Sequence, residues 1–113
     1  WLSILNEFSS KEIDFTGLDG YRKSAWQRQL HLFEVPFYYI EYGIAQLGAL
    51  GMWIQYKKDP DKALKNYKAA LGKGGTQTLV DLYHTAGLSF DFSSAHTNEL
   101  MRFVTDELRS VMH

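Results

Sequence analysis

Between Val35 and Ile54 the sequence VPFYYIEYGIAQLGALGMWI holds a single charge, Glu41. Few folds accommodate such a segment. On length alone it could cross a bilayer. Glu41, Gln46 and the interspersed glycines would be costly facing lipid, and the segments on either side read as amphipathic, water-facing helices. A helix that is apolar all round is more often the centre of a helical domain. The expectation is therefore an all-α chain with no membrane partner, a bundle of about five helices around this long apolar central helix. About four other helices cannot surround it, so upstream chain is expected to cover another side. The sequence then reads as a fragment of a larger helical domain. A fragment that leaves such a face uncovered would self-associate through it.

Composition sets wider bounds. The 113 residues, 45% of them hydrophobic, suit one helical domain spanning 1–113 with enough apolar side chains for a core. A formal net charge of −1 gives no electrostatic reason to expect nucleic acid or an anionic surface as partner. The absence of cysteine removes disulfides and thiolate metal sites and fits a cytoplasmic protein. No basic stretch precedes an apolar run as in a signal peptide. Trp1 falls inside the apolar stretch WLSILNEF, which reads as a chain met partway through.

Local punctuation places the other elements. A short helix over 1–8 leads into the irregular SSKEIDFTGLDG, and a second helix is expected from Leu18 to Phe33 with Tyr21, Trp26 and Leu30 inward. Pro36 suits a first helical turn, so the long helix should start there and end near Lys57. Asp59 as N-cap, Pro60 behind it and the glycines after Leu71 delimit the next helix, with Ala63, Leu64, Tyr67 and Leu71 on one face. Thr76 would cap a short helix through Leu79, Leu82 and Tyr83 that closes at Gly87. Ser93 or Ser94 opens the last helix, with Leu100, Phe103, Val104, Leu108 and Val111 as its buried stripe. No alternating run suggests a strand.

At about 100° per residue, Tyr39, Tyr42 and Gln46 share roughly a third of the long helix's circumference, with Tyr38 at its edge and Glu41 nearly opposite. His31 precedes Pro36, so the intervening loop could fold it over the same face. Two accounts stand. The tyrosines and His31 pack in a core with their polar atoms satisfied, or the phenols converge on a point where they could stabilise a developing oxyanion.

The stretch WQRQLHLFEVPFYYIEYGIAQLGAL resembles the C-terminal part of the catalytic domain of oligoendopeptidase F-type zinc metallopeptidases, relatives of thimet oligopeptidase. The likeness runs from about Ile13 to Gly87 and takes in ALKNYKAALGKGGTQTLVDLYHTAGL. It implies a mostly helical domain with a deep groove, acting on short peptides. In that family an HExxH helix and a later glutamate hold zinc, and the metal-activated water attacks the peptide carbonyl. The C-terminal segment forms the facing wall. The resemblance gives His31 and Tyr38 to substrate binding, and Tyr39 and Tyr42 to hydrogen bonding of substrate and oxyanion, with Tyr42 the main transition-state donor. The partners it implies are the peptide substrate and the upstream part of the same domain.

HExxH itself is absent. The histidines are His31, His84, His96 and His113, and no two are spaced as a helical i, i+4 pair. Zinc is therefore expected in the intact enzyme and not in this segment, which alone should be inactive. The alternative is a non-catalytic helical module that binds peptides or partners along the same tyrosine face.

Overall fold

A computed structural model describes residues 1–112. Its described residues form seven α-helices and two 3-10 turns, with no strand. The helices are α1 (Leu2–Phe8), α2 (Asp19–Ser24), α3 (His31–Glu34), α4 (Ile40–Lys58), α5 (Pro60–Lys73), α6 (Leu79–Thr85) and α7 (Ser94–Val111). The 3-10 turns are Ala25–Arg28 and Gly74–Thr76. His113, expected in the last helix, lies outside the described residues. The chain divides into two compact units, Trp1–Ile40 and Glu41–His113.

In the first unit, the single helix expected from Leu18 to Phe33 is broken. α2 tightens into the 3-10 turn, and Gln29 (φ −86°, ψ 87°) leaves the helical region before α3. The break lets Trp26 stack on Phe33, with ring centroids 5.8 Å apart. In a continuous helix those positions would stand about 10 Å apart along the axis. Around Arg22, the Trp1 indole N–H donates to the Arg22 carbonyl at 2.9 Å. The guanidinium donates to Ser9 Oγ at 3.1 Å and lies 4.1 Å from the centre of the Phe15 ring.

Pro36 does not begin the long helix. The Tyr38 N–H donates to the Val35 carbonyl at 3.1 Å, closing a turn with Pro36 in its second position. Phe37, in the third, has a positive φ of 66°. A fixed φ suits Pro to that turn position as well as to a first helical turn, and the turn delays α4 to Ile40. Tyr38 and Tyr39 therefore precede the helix, and the helical-face argument reaches only Tyr42 and Gln46.

The second unit follows its caps closely. Asp59 accepts from the Lys62 N–H, Pro60 follows it, and Gly74 (φ 53°) ends α5. Ser93 caps α7 by accepting from the His96 N–H. The cap of α6 is Thr78, which accepts from the Asp81 N–H. Thr76, expected there, instead donates to the Lys73 carbonyl at 2.6 Å, at the end of α5. Gly87, with φ 76°, closes α6 as expected.

α4 and α7 run parallel. Trp53 meets Phe103 edge to face at 4.9 Å, and one turn further Lys57 pairs with Glu107 at 2.7 Å. α4 ends there. Leu108 (56% exposed) and Val111 (77%) lie past its end, so the stripe expected along all of α7 is covered only in its first half. Among the described residues full burial is confined to Ala63, Ala86 and Leu100, and no residue of α4 is fully buried. No helix among the described residues is long and apolar enough to cross a membrane.

Candidate functional site

In the first unit the turn at Pro36 folds the chain back so that His31, at the start of α3, meets both tyrosines that precede α4. The imidazole lies nearly parallel to the Tyr38 ring, with centroids 6.1 Å apart and planes 7° apart. The Tyr39 ring is tilted by 59° at 5.5 Å. Nδ1 of His31 is withdrawn from solvent. Tyr38 and Tyr39 are close to half exposed. Three residues of the sequence-derived set thus form one aromatic cluster, held by a turn rather than by a shared helical face. Tyr42, the fourth, stands in the first turn of α4 and is half exposed. Chemically, an imidazole and two phenols in one cluster can donate and accept hydrogen bonds along a peptide backbone. A phenol can also donate to a carbonyl oxygen as it gains charge.

The second unit carries a feature that sequence reasoning missed. A groove of about 680 Å³ runs between α4, α5 and α6. Its α4 wall is Glu41, Ile44, Ala45, Gly48, Ala49 and Met52. Tyr67 and Leu71 of α5 and Leu79 of α6 stand opposite. The Tyr83 hydroxyl donates to the Ile44 carbonyl at 2.7 Å. The sequence signal for this groove is the recurrence of Ala45, Gly48 and Ala49 at helical spacing, which leaves the α4 wall without large side chains between Ile44 and Met52. Burial of Tyr83 pushes its phenol above the ordinary tyrosine range.

No three His, Asp or Glu side chains gather as a metal-binding group among the described residues. The zinc ion that the resemblance implies is expected on an HExxH helix, which this sequence does not contain. No family model, curated protein or solved structure matches the chain.

Proposed function

We propose that this chain is the substrate-facing wall of a zinc-dependent oligopeptidase of the oligoendopeptidase F type, a cytoplasmic enzyme that cleaves short peptides. The cluster of His31 with Tyr38 and Tyr39 carries the reading. The support is that the rings of Tyr39 and Tyr38 lie 5.5 and 6.1 Å from the His31 imidazole, so three of the four residues the resemblance names are neighbours. In this reading α4 is the central helix of a larger helical domain, and the metal site belongs to residues outside this sequence.

The chemistry this chain supplies is binding and charge stabilisation. His31 and Tyr38 hydrogen-bond the peptide backbone and fix its position. Tyr42 is the main donor to the scissile carbonyl oxygen, where negative charge develops as the carbon becomes tetrahedral, and the resemblance gives Tyr39 the same kind of hydrogen bonding. Donors set before the reaction begins stabilise that charge without reorganising, and one such donor is worth about 10²- to 10³-fold in turnover. A metal held by other residues of the intact enzyme would supply activation of the attacking water.

Reading the gene upstream of Trp1 tests the assignment. HExxH followed by a further glutamate, in a product that cleaves short peptides and loses turnover with Tyr42→Phe, is the expected result. A start codon beside Trp1, or a product that binds peptides without cleaving them, would replace the enzyme by a helical peptide-binding module.

A further inference from the structure

From the groove of the second unit we infer a docking site for one amphipathic α-helix of a partner, with an apolar face and a Lys or Arg at one end. The site uses none of His31, Tyr38, Tyr39 or Tyr42. Its α4 wall repeats at i, i+3, i+4, i+7, i+8 and i+11 from Glu41 to Met52, which spans about 16 Å, or three helical turns. Its volume of about 680 Å³ lies within the usual range for a binding cleft.

The shape selects a helix over an extended chain. A strand needs backbone donors and acceptors along its track. The groove offers none in a row, because its walls are helices whose amides are bonded internally. A docked helix satisfies its own backbone and brings only side chains. Ala45 and Ala49 keep that part of the α4 wall shallow, so a second helix can approach to about 8–10 Å between axes. Tyr67, Leu71 and Leu79, each 46% exposed or more, stand ready to close over its apolar side chains.

Charge sets the polarity of the partner. The other groove-lining residues carry no charge, and Glu41 stands at one extreme of the α4 wall. A cation on the partner's terminal turn would meet it while three apolar turns fill the rest.

The test uses the full chain and a fluorescein-labelled peptide of about 16 residues, with leucines at i, i+4 and i+7 and one lysine a turn beyond. A second peptide carries glutamate in place of that lysine, and a third has its leucines replaced by serine. Anisotropy titration should show saturable binding of the lysine peptide, at least about fivefold weaker binding of the glutamate peptide, and none of the serine peptide. Glu41→Lys should reverse the preference between the first two. Ala49→Trp, which fills the groove from an exposed position, should abolish binding while circular dichroism stays unchanged. Equal binding of the lysine and glutamate peptides, or an unaffected Ala49→Trp, would overturn the site. So would sedimentation showing that a second copy of the chain already fills it.

Discussion

The Tyr83 hydroxyl donates to the Ile44 carbonyl across 39 residues of sequence, and the same hydroxyl occupies the space where a side chain on Gly48 would begin. A Cβ at Gly48 would come within 2.5 Å of that oxygen and 3.0 Å of the ring carbon bearing it. Tyr83 cannot retreat freely, because its ring also meets Phe90 edge to face at 5.1 Å. The absent side chain at Gly48 is what lets α6 close against α4.

Gly48→Ala should therefore destabilise the fold although alanine is the better helix former. The clash and the lost hydrogen bond cost about 1–3 kcal/mol, against roughly 1 kcal/mol gained in propensity. In a Tyr83→Phe background the hydroxyl is gone, and the same substitution should cost less than about 0.5 kcal/mol. Urea denaturation of the four proteins of this cycle measures the coupling. Additive effects would show that the two residues do not share the space.

Tyr83 also sets a pH dependence. Burial raises its pKa above the ordinary 10.0. A raised folded-state pKa contributes stability that is fully present below the unfolded value. That stability is lost as pH climbs through the folded one. The stability gap between the native chain and Tyr83→Phe should hold through pH 9 and narrow above pH 10. Urea midpoints of both proteins between pH 8 and 11 read the gap, and contributions from other lysines and tyrosines cancel in the difference. A constant gap would mean that the phenol is as well solvated folded as unfolded.

The second unit was more legible in the sequence than the first because its helices carry their own boundaries. Asp59–Pro60 and Ser93 each combine a side-chain acceptor with the start of an apolar repeat, and both cap as expected. Around His31 the deciding interactions are not periodic. The break at Gln29 is tied to a contact between Trp26 and Phe33. Pro36 satisfies two local geometries equally well, so sequence could not choose between a helix start and a turn. That the segment around Pro36 could fold His31 over the tyrosines was legible from their order, but that Tyr38 and Tyr39 would precede the helix was not. The groove beside Gly48 required knowing which helices would face α4.

Phe37 holds a left-handed backbone conformation with its side chain 95% exposed. The third position of such a turn favours glycine, and a residue with a Cβ gives up about 1–2 kcal/mol there. The exposed ring returns almost nothing through burial. Phe37→Gly should stabilise the chain by about 0.5–1 kcal/mol after glycine's own entropic cost, whereas Phe37→Val should destabilise it. Thermal denaturation of the two variants decides. Loss of stability in the glycine variant would show that the exposed ring makes an energetically important contact.

In the intact enzyme that the proposed function describes, the aromatic residues should divide their labour in a way kinetics can separate. Tyr42 acts on charge that exists only in the transition state, so Tyr42→Phe should lower kcat by about 10²- to 10³-fold and leave KM nearly unchanged. In the same reading His31 would hold the substrate backbone in both ground and transition states. His31→Ala should raise KM more than it lowers kcat, and His31→Gln, which keeps a donor and an acceptor, should recover part of the loss. Tyr38, stacked on the imidazole with planes 7° apart, keeps its ring in Tyr38→Phe. That variant should show only the loss of one substrate hydrogen bond, a rise of about tenfold or less in KM. Steady-state measurements on one short internally quenched peptide give all four ratios. If Tyr42→Phe changed KM alone, the transition-state donor would have to be sought at Tyr39.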